Sequence, residues 1–390
     1  DKQGGGDKQG DGDKEGDGDK DGKKEEPTGA SASDAEKGAP LAGEKKPSLE
    51  AEELNALIEK LRGEKDFLRY KDLAVRIKET ADKLTFEKKF DEVFSALVLF
   101  EGHSSPFSGL SDEIRYIAEE ALKYFLTPEA LQHLAAMAGG TDEAERAAVQ
   151  QILLHGGGAA IEALLTALVD APEASTRRIL FNVALPFGRA VIPYAVKKLD
   201  SDLWYVVRQM VTLLGEIGDP ESVEHLKAAY GNPDIRVKKE VLKNLARIRS
   251  KESLDVLIKA LEEEDMPLVT QAIISIGMLR DPAAIDTVGS IALKGGAFSE
   301  NQEPRKAAIR ALRLIGGQQA VPYLTKLLFK KAWLGKKAND DIRCLAAGAL
   351  GEIGGDEAYA AVEKARGESA GDLYSACKRI LDSRDRKKAS

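Results

Sequence analysis

The stretch DGDKDG, Asp17 to Gly22, sets carboxylates at alternating positions ahead of a glycine, as the first half of a calcium loop does. The chemistry would be cation coordination by oxygen, but the loop is not completed. Its twelfth position is Thr28 rather than a bidentate Glu, Pro27 precedes it, and no helical pattern comes before it. The chain around it reads in sixes, DKQGGG, DKQGDG, DKEGDG, DKDGKK, with hardly any apolar side chain. Such a segment has nothing to offset its ordering entropy, so residues 1–47 are expected to be a disordered acidic linker.

The other residues able to do chemistry are sparse. His103, His133, His155 and His225 are followed by Ser, Leu, Gly and Leu, so no His-Glu pair exists. Neither GxxxxGK[ST], HExxH, CxxC nor GxSxG occurs. Cys344 and Cys377 lie in helical patterns without a neighbouring histidine and read as buried free thiols. His155 falls in a column of apolar positions and is expected to be a hydrogen-bonded structural residue; His225 is expected half exposed. No catalytic residue, metal site or cofactor is expected.

A second period governs the rest of the chain. The apolar position of Leu214 recurs 31 residues apart at Ile152, Val183, Leu245 and Ile276, and with longer or shorter steps at Leu122, Leu312 and Leu350. Nine residues after each stands Leu131, Ile161, Ile192, Val223, Leu254, Ile285, Val321 or Tyr359. Apolar spacings of 3 and 4 within each unit mark amphipathic helices, and breakers such as Gly218-Asp219-Pro220 and Gly354-Gly355-Asp356 divide each unit into helix A, turn and helix B. One hairpin cannot bury its own apolar faces, so neighbours must stack.

These residues resemble a known repeat. LGEIGDPESV from Leu214, with Asp341-Ile342-Arg343 and Leu350-Gly351-Glu352-Ile353-Gly354 as the second clearest copy, is similar to HEAT repeats of the short bacterial type, also found in phycocyanobilin lyases. The resemblance covers about residues 111–384. It implies an all-α, right-handed α-solenoid of about eight hairpins. Residues 48–110 are expected to be an N-terminal helical cap with a loop at 102–109, Ser48 to cap the first helix, and GDLYSACKRILDS to be a final capping helix. Residues 385–390 are expected to be a basic disordered tail. HEAT-type enzymes resembling deoxyhypusine hydroxylase bind iron through His-Glu pairs, a motif missing here.

Two surfaces are candidates for a partner. Extra residues between helix B and the next helix A produce GGAFSENQEP (Gly295 to Pro304) and KKAWLGKKAND (Lys330 to Asp340). The second gathers Trp333 with Lys330, Lys331, Lys336 and Lys337 into a candidate binding rim. On helix B, Lys197, Lys259, Lys326 and Lys364 form a basic column beside an acidic one of Glu162, Glu224, Asp255 and Asp286, with Asp255 and Lys259 spaced as an i,i+4 pair. Helix B lines the concave face in the family, so these columns read as a mixed-charge groove or as a plain solvated face. Arg115, Arg146, Arg177, Arg208, Arg305 and Arg343 recur near the start of helix A and are expected to bond turn carbonyls or carboxylates.

Composition narrows the function classes. The 390 residues carry net charge −8, with residues 1–50 at −5, residues 301–390 at +7 and an acidic middle. No run of 18 apolar residues exists, so no membrane span is expected. The chain opens at Asp1, as a processed product or fragment would, so the linker is expected to tether it to something upstream. The expected role is a non-enzymatic scaffold or adaptor for a protein or peptide, cytoplasmic. The alternatives are a bilin lyase or chaperone, which the resemblance implies, and backbone binding of nucleic acid by the basic end, which the acidic middle opposes.

Overall fold

The 3 and 4 spacing resolves into helices throughout. The computed structural model describes residues 48–140, 142–294, 302–332 and 335–389; DGDKDG, the linker 1–47, residues 295–301 and Trp333 lie outside the described residues. Pro47–Ser390 forms one compact unit, and no strand occurs among the described residues.

Among the described residues three helices come first: α1 (Leu49–Arg62), α2 (Phe67–Phe86) and α3 (Phe90–Ser104). The Ser48 side chain caps α1 by accepting from the Ala51 N–H. The expected loop at 102–109 is shorter than its sequence suggests, because α3 continues to Ser104. Eight hairpins follow. They are α4 (Asp112–Phe125) with α5 (Pro128–Ala138), α6 (Glu143–Leu154) with α7 (Gly157–Asp170), and α8 (Ala174–Ala184) with α9 (Ile192–Lys197). Next come α10 (Trp204–Ile217) with α11 (Ser222–Ala229), and α12 (Ile235–Ile248) with α13 (Lys251–Lys259). The last are α14 (Met266–Leu279) with α15 (Ile285–Leu293), α16 (Glu303–Ile315) with α17 (Val321–Phe329), and α18 (Lys336–Ile353) with α19 (Asp356–Gly367). A lone α20 (Gly371–Ala389) closes the stack against α18 and α19. This is an all-α solenoid.

Each repeated apolar position lies in helix A and is buried: Leu122, Ile152, Leu214, Leu245, Ile276, Leu312 and Leu350 are 0% exposed and Val183 2%. Burying such a side chain contributes about 1.5–3 kcal/mol, so these columns form the continuous core. Between helices A and B the chain must reverse, and a left-handed residue does so. Gly218 takes that conformation after α10, while Arg249 and Arg280 take it after α12 and α14. A side chain there costs about 1–2 kcal/mol.

Four of the six arginines at the start of helix A stitch unit to unit, while Arg115 pairs with Asp112 of its own helix and Arg208 lies over the Trp204 ring of its own helix. Arg146 donates to the Gly140 carbonyl (3.1 Å), Arg177 to Ala171 (2.7 Å), Arg305 to Ala292 (2.9 Å) and Arg343 to Leu328 (2.8 Å). Each acceptor belongs to the end of the preceding helix B or the connection just after it, where carbonyls lack helical partners.

One expectation, at the C-terminal end, is corrected. Residues 385–389 are not a disordered tail: α20 runs to Ala389. No Gly or Pro interrupts it after Gly371, and Leu373, Cys377 and Leu381 anchor its inner side. The stretch Ala174–Asp200 does pass as long and apolar enough to cross a membrane by length and composition, with mean hydropathy 1.5. It is nevertheless broken at Gly188 (φ 56°, ψ −133°) into helices A and B of the third hairpin, and Leu180, Val183, Ile192 and Ala195 are buried in the core. The segment is a core hairpin by its packing.

Candidate partner-binding surfaces

The insertion rim is less of a loop than its composition suggests. Lys336 and Lys337 form the first turn of α18, which starts from a left-handed Gly335. Asn339, almost fully buried, donates its amide to the Lys330 carbonyl (2.8 Å), and Arg343 pairs with Asp340 (2.9 Å). Lys330 reaches back to the Leu293 carbonyl (3.4 Å). Partial burial, with Arg305 nearby, holds its pKa below the usual lysine range. Lys331 is exposed. The four lysines are therefore divided between a pinned connection and a helix start.

The helix B columns are exposed throughout, at Lys197, Lys259, Lys326, Lys364, Glu224, Asp255 and Asp286. Their neighbours occupy most of them. Glu224 pairs within its own helix with Lys227 (3.3 Å), and Asp286 accepts from the Tyr323 hydroxyl of the next unit (2.9 Å). Lys197 stands over the Tyr194 ring and Lys364 over the Phe329 ring of the preceding unit. Glu162 is bonded by Lys198 (3.4 Å) rather than by a column lysine. Asp255 and Lys259 form no ion pair. Lys259 borders a shallow groove of about 490 Å³ with Tyr230 and Glu263, whose side chains are bonded to each other (3.0 Å).

The remaining chemical residues are structural. Tyr70 and His103 share a hydrogen bond (3.0 Å) between α2 and α3; burial raises the tyrosine pKa and lowers that of the histidine. His133 meets Asp91 (2.7 Å). His155 is not in the core column's interior: it is half-buried as the C-cap of α6, where the helix has already turned. His225 is half exposed. Burial pushes the thiols of Cys344 and Cys377 up, so neither is an activated nucleophile. No group of three or more His, Cys, Asp or Glu arranged to hold a metal occurs among the described residues.

An open groove lies where the columns do not, on the A helices at the C-terminal end. It has a volume of about 730 Å³. α18 supplies its floor through Cys344, Leu345 and Gly348. α16 supplies one wall through Lys306 and Arg310, and α20 the other through Ala376, Arg379 and Ile380. Sequence reasoning read this end only as a capping helix and did not single out Arg310, Arg379 or Gly348. The available signal was a glycine in the middle of a helix at a non-core position.

The repeat reading meets known families here. The family model described as HEAT repeats matches residues 228–297 and 293–377. No curated protein matches the chain. Solved structures similar to it include an engineered protein (18% identity, 84% of this chain and 98% of that chain, TM-score 0.37). Another is the CpcE–CpcF complex of phycocyanin lyase from Nostoc sp. PCC7120 (18% identity, 66% and 94%, TM-score 0.32). A third is the Pds5–Scc1 complex (11% identity, 85% and 60%, TM-score 0.43). Over residues 228–377, from the end of α11 into the closing helix, the chain is thus similar to HEAT repeats.

Proposed function

We propose that the chain is a non-enzymatic scaffold or adaptor that holds a protein or peptide partner on its solenoid surface. The observation that carries this reading is the open groove of about 730 Å³ spanning α16, α18 and α20. A concave site walled by successive rigid helices holds its shape without a ligand, as partner sites on repeat proteins do. The thiol lining it, Cys344, has a raised pKa, which favours binding over covalent chemistry.

Site-specific photo-crosslinking tests the reading. A photoreactive side chain is placed at Ser383 on the rim of the groove, at Lys259 on helix B, and at Glu113 as a remote control. Discrete protein adducts from position 383 or 259, absent at the control, are expected. No adduct from either face would overturn the scaffold.

A further inference from the structure

The groove also carries a statement about what it binds. In Gly215, Gly277 and Gly351 a side chain is forbidden by the neighbouring helix: a Cβ on Gly351 would lie 2.5 Å from Ile380 Cγ2. At Gly348 a Cβ would meet nothing within 4 Å. Glycine is a poor helix former, and here no contact within the chain demands it. Its effect is to keep the floor of the groove low between Arg310 on α16 and Arg379 on α20.

Those two arginines are exposed and form no ion pair among the described residues. Other cations are engaged: Lys306 with Glu303 (3.1 Å), Arg384 with Asp385 (2.9 Å). A second groove, between α2 and α4, is lined by lysines rather than guanidinium groups. There Lys78 lies over the Tyr124 ring and Lys123 is bonded to Glu119.

The groove thus offers an apolar floor flanked by unpaired guanidinium groups. It follows α18 between Asp341 and Glu352, about 16 Å at the rise of an α-helix, or three turns. A matching ligand has an apolar stripe flanked by carboxylates, and a helix of three turns presents both at once. We propose that this groove docks a short acidic amphipathic helix of a partner protein, seated over Gly348 and held by Arg310 and Arg379. Nucleic acid fits less well. The apolar floor gives a continuous phosphate backbone no partner, whereas it matches the apolar stripe of a helix.

The proposal rests on the scaffold reading and is tested separately from it. The probe is a fluorescent, hydrocarbon-stapled three-turn peptide with leucines along one stripe and glutamates on both flanks. Its controls are the same peptide with lysines on the flanks, and a DNA duplex. Anisotropy should show binding of the acidic peptide that weakens with salt. Arg310→Glu/Arg379→Glu should weaken it at least tenfold, and Gly348→Leu, which fills the floor from an unobstructed position, should remove it. Arg310→Gln/Arg379→Gln should weaken it less than the charge reversal, and circular dichroism checks that every variant is folded. Equal binding of acidic and lysine peptides, tighter binding of the duplex, or no effect of Gly348→Leu would overturn the proposal. Crosslinked partners at Lys259 alongside a failed peptide assay would leave the scaffold standing without this ligand.

Discussion

The first three hairpins and the last five stack differently. From α10 onward each helix A packs on the next, α10 on α12, α14, α16, α18 and finally α20 in succession. In the first three hairpins helix B carries the stacking: α5 packs on α7, and α5 and α7 reach the A helices α6 and α8, while α4, α6 and α8 approach one another less closely. The residue after each core position explains the difference. It is Gly215, Ala246, Gly277 and Gly351 in the later units, but Lys123 and Leu153 in the first two. Small residues let helix axes approach, and long ones hold them apart. Ala184 in the third unit and Arg313 in the seventh depart from this rule, and at Arg313 α16 meets α18 through an ion pair with Glu352 (2.7 Å). The HEAT match falls within the half with the close A layer.

The strongest test of this contrast removes one core side chain from each half. Leu312→Ala and Leu122→Ala both empty a fully buried site and should each cost about 2–5 kcal/mol. Because stability in stacked repeats is a sum over neighbours, the losses should be local. Hydrogen exchange should show Leu312→Ala unprotecting α14 to α20 together, and Leu122→Ala loosening α3 to α5 while α12 to α20 stay protected. Uniform loss along the whole chain in either variant would break the comparison.

A smaller effect separates backbone contact from side-chain contact. On Gly277 a Cβ would lie 2.8 Å from the Ala311 Cα, which cannot yield without parting α14 from α16. Gly277→Ala should cost about 1–3 kcal/mol by overpacking. On Gly158, in the early half, the clash is with the Tyr194 hydroxyl, the far end of a side chain that can turn aside. Gly158→Ala should change stability by no more than about 0.5 kcal/mol. Denaturant melts of the two variants decide it, and equal losses would remove the distinction.

These contrasts also show what could be read from the chain itself. The core columns were legible because burial imposes one residue class at a fixed spacing: Leu131, Ile161, Val223 and Leu254 are buried where the columns placed them. Ser48 and the arginine stitches were legible because helix ends leave backbone groups that particular side chains satisfy. The groove was not, because it is defined by missing atoms across three helices. Arg310 and Arg379 are 69 residues apart, and only stacking brings them to one trough. The lysine columns misled for the opposite reason. Spacing along helix B shows which side chains share a face but not that Tyr194, Tyr323 and Phe329 already occupy it.

Gly348 extends the comparison with an effect of opposite sign. Gly348→Ala adds a methyl group into open space and removes the penalty of a mid-helix glycine. It should stabilise the fold by up to about 1 kcal/mol. A raised melting temperature for Gly348→Ala beside a lowered one for Gly277→Ala would show that the two glycines serve different ends. A destabilised Gly348→Ala would mean that the groove floor is already filled.

The smallest predicted effect concerns pH, and it separates α12 from the first hairpin. The first hairpin is capped by hydroxyls, Ser111 on α4 and Thr127 on α5, whereas Asp234 caps α12. The guanidinium of Arg236, bonded to both Asp234 oxygens, and the backbone N–H groups beside it hold the carboxyl at about 2. A carboxylate with a depressed pKa supports the fold above its unfolded value near 3.8 and loses that support as pH falls through about 2. Arg236 also lies over the Trp204 ring of α10, 3.4 Å from its centroid, so the cap is tied to the close A layer. In a Trp333→Phe background, Trp204 fluorescence should therefore change between pH 4 and 2. The hydroxyl-capped helices α4 and α5 should show no cap-linked loss of exchange protection over that interval. An Asp234→Asn variant keeps a capping oxygen but cannot titrate, so it should lose the fluorescence step while remaining folded at neutral pH. Persistence of the step in that variant would assign it to another carboxylate and detach the acid response from the α10–α12 contact.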